Sequence, residues 1–202
     1  MTNREAWKLE KEVKKLILQG VKERKETSFE KDLLQMVLEG ARNSNLSQEA
    51  TNRFIVDSCK NIYLAGYETT VVATAWYLML LASNQNWHDR VRAEVLEICR
   101  DSIPNFTMLC KMKQGDDAYK FNPERFSNGT IGACKLPHMY MPFGVGPRVC
   151  LGQNLAMVEL KMLIALILSK FIFSLSMRYV QSPTLRLLME PEHGVHLLVK
   201  KL

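Results

Sequence analysis

The sequence predicts a mainly α-helical domain with one long central helix, a cysteine-bearing loop ahead of a core helix, and a small C-terminal β-sheet. Three observations carry this. Helical spacing of apolar residues runs through most of the first hundred positions, with few breakers. Three glycines and one proline fall within one ten-residue stretch, residues 143–152, which opens onto a long apolar run. Past residue 180, prolines and alternating apolar positions replace the helical period. A length of 202 residues, with 47% hydrophobic and 24% charged residues, suits a single globular domain with its own core.

Taken in order, residues 4–26 set Trp7, Val13, Leu16, Ile17 and Val21 on one stripe beneath a Lys/Glu-rich face, the mark of an amphipathic helix. A second, shorter helix starts within residues 28–32 and runs through Leu33, Leu34, Met36, Val37 and Leu38. Gly40 is expected to close it. Residues 41–47 read as a polar linker, with Ser47 capping the next helix.

From Ser47 to Ser83 nothing interrupts the helical pattern, a span of roughly 55 Å at about 1.5 Å per residue. Residues 62–82 are apolar except for Glu68, which raises a membrane-spanning alternative. A carboxylate in mid-span costs about 2.5–3.5 kcal/mol, and Thr69, Thr70 and Thr74 lie beside it. A buried central helix is the better reading. Residues 85–100 form a further amphipathic helix with Val91, Val95 and Ile98 on one face, and Trp87 and His88 at its start read as structural. Residues 103–142 are loosely patterned, and the lone His138 is not taken as a ligand. Residues 153–173 form the helix behind the loop, with Leu155, Val158, Met162, Leu163, Leu166 and Ile167 inward and Met157 in the core. Residues 185–189 and 195–199 read as short strands.

Charge and cysteine usage narrow the function. The net charge of +6 suits an acidic partner or a membrane surface, but no basic run is interleaved with aromatics as a nucleic-acid site requires, so no nucleic acid is expected. Cys59, Cys99, Cys110, Cys134 and Cys150 are odd in number, widely spaced and without a C-x-x-C pair. Neither a disulfide framework nor a zinc site is suggested, and reduced thiols facing the cytosol are expected. No signal peptide is read, so the three short glycosylation-type matches are set aside.

Two stretches carry chemistry. In residues 143–152, Cys150 is presented by a glycine-rich turn at the start of a helix, where unpaired N–H groups favour a thiolate. A thiolate is a soft ligand suited to iron, and the guanidinium of Arg148 is suited to forking onto a carboxylate. Together they suggest haem, with a thiolate for the iron and a guanidinium for a propionate. The plain alternative is a Gly/Pro turn around a buried cysteine. In residues 65–70, Gly66 weakens the long helix by about 1 kcal/mol relative to alanine, just where Glu68 and Thr69 set a carboxylate next to an alcohol. There the plain alternative is a close helix contact at Gly66 and an arginine partner for Glu68.

The first stretch resembles the haem-binding loop of the cytochrome P-450 superfamily, Phe-x-x-Gly-x-Arg-x-Cys-x-Gly, with Phe143, Gly146, Arg148, Cys150 and Gly152 at its fixed positions. The second resembles that family's oxygen-binding kink, with Ala65, Gly66, Glu68, Thr69 and Thr70 in place. Residues 121–126 resemble the Pro-Glu-Arg-Phe meander that precedes the loop. The wording of residues 65–70 looks most like the non-steroid plant group that includes gibberellin-modifying and triterpenoid-oxidising members.

The resemblance implies a partial P-450-like helical fold and a haem b cofactor whose iron is held by Cys150. It implies a catalytic Glu68–Thr69 proton relay, with room over the iron at Ala65 and Gly66. It further implies a flavin-containing reductase as electron donor, a small hydrophobic substrate such as a terpenoid or hormone, and residence on the cytosolic face of the endoplasmic reticulum.

Two departures qualify this. The sequence corresponds to the C-terminal half of the family and is expected to begin past the membrane anchor. The family's Glu-x-x-Arg helix also has no counterpart in the right place. Glu39/Arg42 precede the oxygen helix, and Glu97/Arg100 lie in the helix before the one expected to be missing. A deletion between residues 114 and 115 would account for this and leave Arg125 without its partners. Three readings therefore stand: a haem-thiolate monooxygenase, a truncated and inactive member of the same family, and a helical interaction module built on the same fragment.

Overall fold

The structure, a computed structural model, describes residues 3–26, 32–99, 123, 129 and 141–202, and all that follows concerns these. The predicted meander other than Pro123, together with Cys110, Cys134, Arg125, His138 and the junction at residues 114 and 115, lies outside them. The described elements are α1 (Asn3–Glu26), α2 (Leu33–Asn43), α3 (Gln48–Ser83), α4 (Gln85–Cys99) and α5 (Gln153–Lys170), then β1 (Phe171–Leu175), β2 (Pro183–Leu185), β3 (Met189–Pro191) and β4 (Leu197–Lys201). The mainly helical fold with a long helix, a cysteine loop before a further helix and small C-terminal β-structure is thus observed. The strands form two antiparallel pairs, β1–β4 and β2–β3, and residues 186–188 lie in the turn between β2 and β3 and not in the strand expected at 185–189. The chain divides into two compact units, residues 1–67 and 68–202.

In the first unit, Val21, Leu38, Ala41 and Ile55 form a small core, with Ile17, Leu34, Val37 and Cys59 against it. Only the C-terminal part of the α1 stripe is used: Trp7 and Leu16 are exposed. Asp32 caps α2, its Oδ1 accepting the Gln35 N–H at 2.9 Å. Gly40 does not close α2. The helix passes through it because Ala41 is buried in the core and the Phe54 ring lies over Gly40, and the reversal falls on Asn45 at φ 48°. The linker is correspondingly shorter than expected. Ser47 does cap α3, accepting the Ala50 N–H at 3.3 Å.

The Asp32 carboxyl sits below the ordinary aspartate range, chiefly because the Gln35 N–H donates to it and further because of the Arg24 guanidinium, with burial opposing them. A lowered folded-state value means that the contribution of this cap is present above the unfolded aspartate value. It is lost as pH falls through the folded one. Helicity at residues 33–43, followed by NMR during acid titration, is therefore expected to decline below about pH 4. In Asp32→Ala it should start lower and stay flat with pH.

In the second unit, Leu81, Ala82, Val95, Ile164, Ala165, Leu168 and Phe173 form the main core. Val91 and Val95 of the face predicted for α4 meet Ile164, Ala165 and Leu168 of α5 here. His88, fully buried, has the structural role expected of it. Its ring meets Phe173 edge-on at 4.7 Å, and its Nε2 faces the Phe173 N–H at 3.5 Å. Gln85 Nε2 donates to the Phe173 carbonyl from the same turn of α4. Trp87 lies under the Arg90 guanidinium, 4.1 Å from the ring centre.

Four expectations are corrected. The helix behind the loop stops at Lys170, because Phe171, Ile172 and Phe173 pair with β4 in the antiparallel register Phe171↔Lys201, Phe173↔Val199. Leu155 and Leu163 are exposed, since the buried stripe of α5 is Ile164, Ala165 and Leu168. Met157 is exposed and not core. The long helix is buried towards its two ends, at Ile55 and Val56 and at Leu81 and Ala82, while Ile62, Tyr63, Leu64, Tyr67 and Val71 between them are exposed. Tyr63 and Tyr67, one turn apart, stack on each other at 5.6 Å. Among the described residues, no helix is long and apolar enough to cross a membrane.

Candidate haem-thiolate site

The cysteine loop is held by its own backbone. Cys150 N–H donates to the Phe143 carbonyl at 2.8 Å, drawing together the two ends of the glycine-rich stretch. Between them Gly144 and Gly146 both take φ of +75°, the left-handed region that L side chains avoid. Residues Gly146–Arg148 then make a single 3₁₀ turn, with Pro147 early in it, that Val149 N–H closes onto the Gly146 carbonyl at 3.2 Å. Gly152 precedes the first turn of α5, and its carbonyl accepts the Ala156 N–H at 2.9 Å. The predicted geometry is therefore observed: a tight turn that sets Cys150 three residues before a helix.

Cys150 is a free thiol and exposed, so the plain alternative of a buried cysteine in a turn does not describe it. Cys59 differs: it is half-buried, and burial pushes its thiol up from the ordinary value. Around Cys150 the side chains of Val145, Val149 and Leu151 are exposed as well, with Leu151 92% accessible. The faces of Gly146 and Gly152 on which a Cβ would stand have no atom within 4 Å. Among the described residues, Arg148 makes no side-chain hydrogen bond or ion pair and points into solvent.

One outward-facing soft donor, bare glycine faces, an apolar fringe and an uncommitted guanidinium fit a flat, apolar, carboxylate-bearing macrocycle that brings its own ring nitrogens to the metal. Valine at Gly146 would fill the open face and force a β-branched residue into the left-handed region, at about 1–2 kcal/mol. Gly146→Val is expected to lower both the unfolding midpoint and the affinity for added haem. Gly20→Ala, in α1, should leave haem affinity unchanged.

The second predicted stretch lies wholly within α3, which runs through residues 65–70 as continuous helix. Ala65 and Gly66 fall in the first compact unit; Glu68 and Thr69 fall in the second, together with Cys150. Gly66 has open space where a Cβ would stand, so no close helix contact among the described residues explains it. Glu68 is half-buried and Thr69 exposed. Thr70 is 8% exposed and donates through Oγ1 to Glu159 Oε2 of α5 at 3.2 Å. The sequence reading does not include Glu159, although the one carboxylate of α5, set with Lys161 in the apolar run from Leu155 to Leu168, is a signal that could have found it.

The comparisons with known proteins bear on both stretches. The family model for cytochrome P450 matches residues 2–114 and 116–198. The chain belongs to the cytochrome P450 family. Among curated relatives it is similar to cytochrome P450 714C2 of Oryza sativa subsp. japonica, 40% identical over 257 aligned positions, covering 100% of this chain and 49% of the relative. It is also similar to cytochrome P450 714A2 of Arabidopsis thaliana, at 38% identity over 93% of this chain and 47% of the relative. Cytochrome P450 714B3 of Zea mays is 39% identical over 100% of this chain and 47% of its own length. This P450 chain thus spans about half the length of the plant relatives it matches, and the cofactor of its family is haem. The family match breaks at residue 115. The 257 positions aligned with the Oryza protein exceed the chain's 202 residues, so about 55 positions of that relative face no residue here.

Proposed function

We propose that this chain is the cysteine-bearing part of a plant P450 monooxygenase, in which Cys150 is the axial ligand of haem b. The observation that carries this is the free, outward-facing Cys150 thiol on a loop closed by its own hydrogen bond to Phe143 and bordered by open glycine faces. Thiolate-ligated haem supplies the insertion of one oxygen atom from O2 into an unreactive C–H bond. The chain's own residues bind and orient. Arg148 pairs with a propionate, Phe143 holds the loop end, and Gly146 and Gly152 keep the approach open. Ala65 and Gly66 keep side-chain bulk off the oxygen segment. The Glu68 carboxylate takes protons from solvent, and Thr69 Oγ1 passes them inward.

A flavin-containing reductase supplies electrons, and the net charge of +6 suits an acidic docking face on such a partner. The substrate is a small hydrophobic molecule of the terpenoid or hormone kind, and the site of action is the cytosolic face of the endoplasmic reticulum membrane.

The test is haem loading of residues 1–202, reduction, and addition of carbon monoxide. Thiolate-ligated haem is expected, and chain that emerges without bound haem contradicts the proposal. That second result is the one a truncated, inactive member of the family would give. The break at residue 115 and the roughly 55 unmatched positions are compatible with that reading and do not favour it over the first. Where turnover is obtained, Thr69→Ala is expected to send most of the reducing equivalents to hydrogen peroxide instead of product. Unchanged coupling would take Thr69 out of the relay.

A further inference from the structure

The last residue of the oxygen segment, Thr70, has no part in the relay just described, yet it is the most buried of the six. A threonine in mid-helix ordinarily returns its hydroxyl to the carbonyl four residues back, as Thr74 does to the Thr70 carbonyl at 2.7 Å. Thr70 instead sends its hydroxyl across to another helix, where Glu159 Oε2 accepts it at 3.2 Å. The two residues are 89 positions apart in sequence. A hydrogen bond to a carboxylate in a partly buried setting is about twice as strong as one between neutral groups.

Glu159 lies six residues into α5, so it stands roughly 9 Å along the axis from the end that the Cys150 loop opens. Thr70 directly follows Glu68 and Thr69 on α3. One bond therefore joins the helix that carries the proposed relay to the helix that carries the proposed iron ligand.

We propose that Glu159 is a positioning residue: by holding the Thr70 hydroxyl it fixes the turn of α3 bearing Glu68 and Thr69 with respect to α5. Its consequence for coupling rests on the haem-thiolate reading above, whereas the tie itself does not. Neither residue is required to touch haem, substrate or the transferred proton.

The test has two arms on the whole chain. Without haem, native-state hydrogen exchange at residues 70–74 is compared among wild type, Thr70→Val, Glu159→Ala, the double variant, Thr70→Ser and Glu159→Gln. Each of the first two is expected to speed exchange there by about tenfold, and the double variant by no more than either alone. Thr70→Ser and Glu159→Gln, which keep a donor and an acceptor, should stay near wild type. Unchanged exchange, or additive effects in the double variant, overturns the tie.

With haem loaded and turnover established, Thr70→Val and Glu159→Ala are expected to raise the share of electrons lost as peroxide at least threefold, and Thr70→Ser to restore it. Faster exchange with unaltered coupling would make the pair a structural strut only and overturn the positioning role. Failure of the chain to load haem counts against the family function and leaves the exchange arm to decide the tie.

Discussion

Phe173→Ala is expected to destabilise the chain by about 3–5 kcal/mol. Phe173 is 2% exposed at the point where α4, α5 and the β1–β4 pair meet. Removing its ring leaves a cavity beside Leu168 and Leu81, both fully buried, and those residues have little room to collapse. The edge-on contact with His88 goes too, an arrangement in which aromatic pairs gain about 0.5–1.5 kcal/mol beyond area burial.

Backbone polarity adds to the effect. The register places Phe173 opposite Val199, and its N–H and carbonyl face away from β4, towards His88 Nε2 and Gln85 Nε2. These two side chains close what would otherwise be a bare strand edge. When the ring no longer holds β1 against α4, both backbone groups lose their partners. Denaturant unfolding followed by tryptophan fluorescence checks this, since Trp76 and Trp87 both lie in this unit; a loss below about 1 kcal/mol would contradict the packing described.

Cys150→Ala is expected to abolish thiolate-type ligation altogether, the largest functional effect of any single change in the chain. Its loop has no second donor to substitute: residues 143–152 hold no other Cys and no His, Met or Tyr. The backbone bond from Cys150 N–H to Phe143 does not use the side chain, so the loop should keep its shape in the variant. Haem that still associates should then do so weakly, with the reduced carbon monoxide band of a non-thiolate haem. A band unchanged from wild type would show that another residue ligates the iron. Cys59→Ala is the matched control, because Cys59 packs against the core of the other unit.

Much of this was legible in the sequence, and the misses share physical causes. The bounds of α3 were readable because no breaker falls between Ser47 and Ser83 and the cap is a serine that does cap. The cysteine loop was readable because Gly144 and Gly146 take positive φ, a backbone demand that sequence expresses directly. The end of α5 was missed because Phe171, Ile172 and Phe173 prolong an apolar run without a breaker. Only pairing with β4, some thirty residues on, makes them a strand. Gly40 was misread as a stop because its tolerance depends on Ala41 and Phe54, a tertiary fact.

Periodicity placed Leu155 and Leu163 inward, but a helix that is apolar nearly all round does not declare which stripe its neighbours take. The exposed middle of α3 is the same error on a larger scale, since apolar character marks a surface for covering without saying what covers it. Glu159 was passed over because its partner is 89 residues away.

The measurement that bears most directly on the central claim is resonance Raman spectroscopy of the ferric, haem-loaded chain grown on cysteine with natural or heavy sulfur. If Cys150 is bonded to iron, a low-frequency iron–sulfur stretching band is expected to move down with the heavier isotope and to be missing from Cys150→Ala. A spectrum with no sulfur-sensitive band, from chain that has bound its haem, would contradict the account.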